Sequence, residues 1–176
     1  MINRNPQGDY PQIDNSAFIH PTAVIIGKVK IGKKVFVGPG AVIRADEPKS
    51  SIFIGDNCNV QDRVVVHALQ NSSVYVDDNT SLSHSCIVHG PCKIAKNCFI
   101  GFGSVIFNAE LGQGVVIKHL AVVEKVVLLP GKAVEPLQLI NNETKAKKLK
   151  KTDKITEDFV NKVLAVNKKL LQGYSR

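Results

Sequence analysis

The sequence predicts an all-β protein, a parallel β-helix of about six coils with a C-terminal α-helix packed along it. Three observations carry this. Aliphatic residues recur every six positions, a second column of small residues stands two places before them, and an amphipathic segment ends the chain.

Taken in order, residues 1–16 are polar with two prolines, Pro6 and Pro11, and read as a loose lead-in. From Ile19 the period of six begins. It runs through Ile25, Ile31, Val37 and Ile43, then Ile54, Val60 and Val66, then Val76, Leu82, Val88, Ile94, Ile100 and Ile106, and closes with Leu111, Ile117, Val123 and Leu129. One unit is a residue short, between Ile106 and Leu111. Neither a helix nor simple strand alternation gives a period of six, whereas a short strand plus a corner does, and three such units close one triangular coil. The small column includes Ala23, Ala41, Ser104 and Ala121, and all four cysteines, Cys58, Cys86, Cys92 and Cys98, fall in it. They read as buried thiols, not as a disulfide or zinc framework. Gly32, Gly38, Gly55, Gly101 and Gly112 follow aliphatics and are expected at tight corners. The period is interrupted around Asp46 to Ser51 and around Gln70 to Ser73, where insertions should form loops on one face. The β-helix domain with its lead-in thus covers 1–136.

Residues 137–176 read as a linker with room for a short helix, followed by a longer one. Thr156 is the expected N-cap, with Glu157 and Asp158 in the first turn and Ile155 and Val160 as a hydrophobic staple. This helix should end near Gln172, with Gly173 as its stop. Phe159, Val163, Leu164, Leu170 and Leu171 form the stripe that faces the β-helix, and Asn167 interrupts it.

The chain of 176 residues holds one sizeable core. No apolar run approaches the ~18 residues of a membrane span, and Met-Ile-Asn-Arg-Asn-Pro is not a signal peptide. A cytoplasmic protein without a membrane partner is expected. The net charge of +8 is concentrated in the lysines beyond Glu143. Without interleaved aromatics this describes a solvated helical tail, and no nucleic acid partner is expected.

The sharpest chemistry lies between Val66 and Gly90, which holds three of the five histidines, His67, His84 and His89. Positions three units apart stack on one face, so Arg44, His67 and His89 form a vertical column. His67 and His89 are consecutive rungs about 5 Å apart, a spacing that suits two ligands of one tetrahedral ion. His84 follows Leu82 by two residues and belongs to another face. If all three share a metal, the third must come from a neighbouring copy, and cyclic closure around a triangular prism favours a homotrimer. Three histidines with an open position form the catalytic zinc pattern, which makes hydroxide available at neutral pH. Gln61 and Asn59 are neutral polar groups near the column, and Glu47 stands in the first insertion as a proton acceptor. Asp46 and Glu47 are equally readable as surface carboxylates. His20 and His119 read as surface residues.

Arg44-Ala45-Asp46-Glu47, Asn59-Val60-Gln61-Asp62, Val66-His67-Ala68-Leu69 and His84-x-x-x-x-His89-Gly90 resemble the gamma-class carbonic anhydrases, trimeric left-handed β-helix zinc enzymes. The resemblance runs from Ala17 to about Pro136 and continues at Val166-Asn167 and Gly173-Tyr174. It implies left-handedness, which the repeat arithmetic does not reveal. It also implies His67 and His89 of one subunit and His84 of the next as ligands of zinc (Zn2+), with iron (Fe2+) or cobalt (Co2+) as other metals of the family. Gln61, Asn59 and Asn167 would lie near the water and substrate, with Glu47 in the proton path. Arg44, Asp46 and Asp62 would form the ion pairs that align the trimer. The chain departs from the best-characterised members at Gln70, where those carry a glutamate on a long acidic loop. The expected activity is reversible hydration of carbon dioxide to bicarbonate by a carbonate dehydratase, a lyase. The alternatives are a non-catalytic metal-binding or scaffolding member and a hexapeptide acyltransferase using a coenzyme A thioester.

Overall fold

The computed structural model describes residues 1–174. Among these, every strand pairs in parallel with the strand one coil away, in three sheets of eight, seven and seven strands. The result is a triangular β-solenoid of about seven turns. The first sheet contains Val24–Gly27, Val42–Ala45, Val65–His67, Ile87–His89, Val105–Phe107 and Val122–Glu124. The second contains Ser51–Ile54, Ser73–Val76 and Cys92–Ile94, and the third Asn59–Val60, Ser81–Leu82 and Phe99–Ile100.

The six-residue column fills the prism. Ile25, Ile43, Val66, Val88, Ile106 and Val123 stack in register on the first sheet with no exposed surface. Each such side chain contributes roughly 1.5–3 kcal/mol through burial. The small column lies at the prism corners, and its four cysteines are free and buried. Burial pushes the Cys58, Cys86 and Cys98 thiols up to about 12.

Several expectations are corrected. The lead-in is not loose: Ile2–Asn3 and Gln12–Ile13 pair with the next coil, and buried Asn5 donates to Ala45 O at 3.2 Å. The solenoid therefore starts two rungs earlier than the aliphatic period does, because edge rungs need only one apolar neighbour. Leu129 is exposed and Leu128 fills the column instead. A second unit is thus a residue short, at the same corner as the first, and the register Leu111 to Leu128 is kept. Val134 and Ile140 carry the column further. Glycines such as Gly38 and Gly112 do not have positive φ. A Cβ on them would sit 3.0 Å from Asp62 N or 2.6 Å from Pro130 N, so close approach of the neighbouring coil excludes a side chain. Positive φ is found instead at other glycines, such as Gly40 and Gly114, and at several asparagines, as at Asn57, Asn79 and Asn97.

Helix α1 (Glu143–Lys148) is capped by Asn142, whose Oδ1 accepts from Lys145 N at 3.0 Å. Helix α2 (Lys154–Tyr174) begins before Thr156, and the cap is Asp153, which accepts from Thr156 N at 2.7 Å. Ile155 is exposed, so no staple forms, and the helix runs through Gly173. α2 lies along the outer face of the third sheet. Val160 packs on Phe99 and Val116 at one end, and Tyr174 stacks on Phe18 at 4.8 Å at the other. Phe159 and Leu170 stay largely exposed, whereas Val160, Asn167 and Leu171 are buried.

Candidate metal centre

The period of six sets the first half of the site. A residue that follows an inward aliphatic points outward, so Arg44, His67 and His89 stand in one outward column, paired in register. His67 is 6% exposed. Its Nδ1 faces His89 Nε2 at 3.0 Å, with the rings edge-on. The other nitrogen, Nε2, points at the first insertion, 3.4 Å from Asp46 Oδ1 and 3.5 Å from Glu47 Oε1. Asp46 Oδ2 accepts from Arg44 Nη1 at 2.9 Å. Glu47 Oε2 accepts from Gln70 N at 2.6 Å, which ties one insertion to the other. Burial, then the Arg44 charge and His89, lower the pKa of His67 and keep its imidazole neutral.

The second half is at the far end of the third sheet. His84 Nδ1 lies 3.3 Å from Asp62 Oδ2, and its ring leans on Phe102 at 5.4 Å. Phe102 in turn stacks on His119 at 4.3 Å and donates its N–H to His119 Nδ1 at 3.1 Å. Beside these, Gln61 Nε2 donates to Asn59 Oδ1 at 2.7 Å and to Asn167 Oδ1 at 2.9 Å. The polar residue that interrupts the helix stripe therefore meets the polar residues that interrupt an aromatic outer column, Phe36, Asn59, Ser81 and Phe99. Ser81 was not singled out by the sequence. Its signal was its outward position among aromatics, and its buried Oγ lacks a partner.

The ten candidate residues thus form two clusters. Arg44, Asp46, Glu47, His67 and His89 gather on the first sheet, and Asn59, Gln61, Asp62, His84 and Asn167 at the third. Among the described residues, no three histidine, cysteine or acidic side chains of one chain are placed to hold a metal ion. The histidine pair nevertheless fits one. Two nitrogens bonded to zinc at 2.0–2.1 Å in tetrahedral geometry stand about 3.3 Å apart, close to the 3.0 Å found here. With Nδ1 directed at a metal, His67 Nε2 carries the proton. It then faces Asp46 Oδ1, and both of these buried atoms otherwise lack partners.

A solenoid of hexapeptide repeats with this histidine pair defines the class of protein. Models of the bacterial transferase hexapeptide (six repeats) and of the hexapeptide repeat of succinyl-transferase match residues 10–45 and residues 28–68 and 91–118. The chain is 34% identical to a carbonic anhydrase of Methanosarcina thermophila, over 97% of this chain and 77% of the relative. It is 40% identical to the carboxysome assembly protein CcmM of a Nostoc species, over 93% of this chain. It spans only 31% of that relative's length. A putative acetyltransferase structure from Bacillus cereus superposes with a TM-score of 0.85 at 26% identity, over 99% and 96% of the two chains. The chain belongs to the gamma-carbonic-anhydrase-like family of hexapeptide-repeat proteins.

Proposed function

We propose that this chain catalyses the reversible hydration of carbon dioxide as a homotrimer, with a metal ion held by His67 and His89 of one copy and His84 of the next. The observation that carries this reading is the facing pair of imidazole nitrogens 3.0 Å apart on adjacent rungs, with the third histidine on another face. In a solenoid the corner after a third-sheet strand rises toward the next coil. His84 therefore stands in height between His67 and His89, and a rotation about an axis parallel to the solenoid keeps that height. Asp62 stands likewise between Arg44 and His67, so a charge of opposite sign meets Arg44.

His67, His89 and His84 would hold zinc, iron(II) or cobalt(II), which would supply Lewis acidity and a nucleophile at neutral pH. The protein's residues do the rest. Asp46 and Glu47 hold the tautomer of His67 through Nε2, and Asp62, whose Oδ2 lies 3.3 Å from His84 Nδ1, draws the proton to that nitrogen and leaves Nε2 as the ligand. Gln61, held by Asn59 and Asn167, presents an amide that orients carbon dioxide or bicarbonate. Glu47 lies between His67 and solvent, where it receives the proton that each cycle must release. Gln70 offers no second carboxylate, so Glu47 carries the path alone and turnover is slow.

Gln70, together with the assembly protein among the relatives, supports a second reading, a metal-binding scaffold without turnover. Stopped-flow hydration with metal content measured on the same anaerobic sample separates the two. About one metal per chain with hydration supports the enzyme, and the same metal without hydration supports the scaffold. His67→Ala should lose both metal and hydration; retention of both would overturn the site.

A further inference from the structure

Two apolar surfaces are left bare on this chain, and they are found at matching heights. The outward residue before each inward aliphatic of the first sheet is itself aliphatic. Val24, Val42, Val65, Ile87, Val105, Val122 and Leu139 pair in register as a continuous stripe beside the histidine column. Neither helix covers it: α2 lies on the third sheet and α1 against the second. The second surface is the corner above His84. Phe102, Leu120 and Leu137 succeed one another there on successive coils, linked by Leu120 N to Phe102 O and Leu137 N to His119 O hydrogen bonds. Leu120 is 58% and Leu137 76% exposed. Both adopt positive φ, 56° and 63°, a conformation that glycine or asparagine holds at less cost. Equivalent corners lower down carry Gly40, Arg63, Ser85 and Gly103. Water gives no reason for two strained leucines at the upper corners.

We infer that Phe102, Leu120 and Leu137 form an apolar seam that docks on the first-sheet stripe of a second copy of this chain, above the shared metal site. The inference rests on the trimer proposed above. The heights decide which residues meet. Phe102 stands between the rungs of Ile87 and Val105, Leu120 between Val105 and Val122, and Leu137 between Val122 and Leu139. Below them the same rule pairs Asp62 with Arg44 and His84 with the His67–His89 pair. One rotation therefore matches opposite charge, ligands and apolar surface together, and neither half of the metal site is complete without it.

The test is the double variant Leu120→Asn, Leu137→Asn, since asparagine tolerates positive φ and leaves the isolated fold unstrained. Sedimentation velocity over a dilution series should show wild-type trimer, and the variant should dissociate at roughly a hundredfold higher concentration. Far-ultraviolet circular dichroism should be unchanged. Val127→Asn, which removes an equally exposed aliphatic from the second sheet, should leave the trimer intact. A double variant as stably trimeric as the wild type overturns the seam and leaves the metal site standing. A wild-type chain that is monomeric at every concentration overturns both.

Discussion

The outer faces of the first and third sheets are built on the same interior yet meet different fates. Beneath both lies the same stack of aliphatic rungs. On the third sheet, Phe18, Phe36, Phe99 and Val116 point outward and are covered by α2 of the same chain. On the first sheet, an aliphatic stripe and the Arg44, His67, His89 column point outward; the first insertion closes over His67, but among the described residues neither helix covers this face. The covered face serves stability, with Asn59, Ser81, Gln61 and Asn167 as a polar break. Under the proposed function, the first-sheet face is the one left for chemistry and for another copy. A protein can thus leave one surface uncovered by assigning its long helix to a different side of the prism.

The largest expected effect sets one face against the other. Val160→Asp buries an unpaired carboxylate between α2 and the third sheet and should cost about 3 kcal/mol in urea unfolding. The same change at Val105 on the bare face should cost well under half of that and act on assembly instead. Equal losses at the two sites would break the comparison. A smaller effect sharpens it at the polar break: Asn167→Leu keeps the branched shape and heavy-atom count, and Gln61 keeps its bond to Asn59. Unfolding should shift by no more than about 1 kcal/mol, while carbon dioxide hydration falls roughly tenfold as Gln61 loses its second anchor. Stopped-flow and urea curves on one preparation check both.

The smallest effect at neutral pH concerns the shared interior. Cys86 lies under the first sheet, and Cys58 and Cys98 under the third, all held at about 12. Raised above the unfolded value of 9.0, these thiols should leave stability untouched below pH ~8.5. They should lower it as pH rises from 9 toward 12, because the unfolded chain releases protons that the folded chain retains. A thiol reagent at pH 8 should label none of the four cysteines in native protein and all four in urea. Labelling of Cys86 alone would show that the bare face opens where the covered one does not.

Much of this architecture was legible in the residues. The six-residue aliphatic column and the small column under it needed only counting, and stacking Arg44, His67 and His89 followed from the positions of Ile43, Val66 and Val88. Local errors arose where a pattern had two equally good readings. Leu128 and Leu129 are adjacent leucines, and only the ladder with Leu111 chooses between them. Asp153 and Thr156 both cap helices well, and the first free N–H groups of α2 decide for Asp153. The terminal rungs at Ile2–Asn3 and Gln12–Ile13 carry too few aliphatics to show a period, yet the exposed edge of the next coil recruits them.

The sequence alone determined the solenoid, its buried cysteines, the position of the loops and the separation of His84 from the other two histidines. All of these follow from periodicity, which fixes the direction of each side chain relative to the prism. Only the tertiary structure decided which face α2 covers, that Asn167 reaches Gln61 across 106 residues of sequence, and which corners carry leucine in a left-handed conformation. Those outcomes depend on how separate elements fit against one another, and the choice of face is made by side-chain packing over the whole length of the helix, which no repeat encodes.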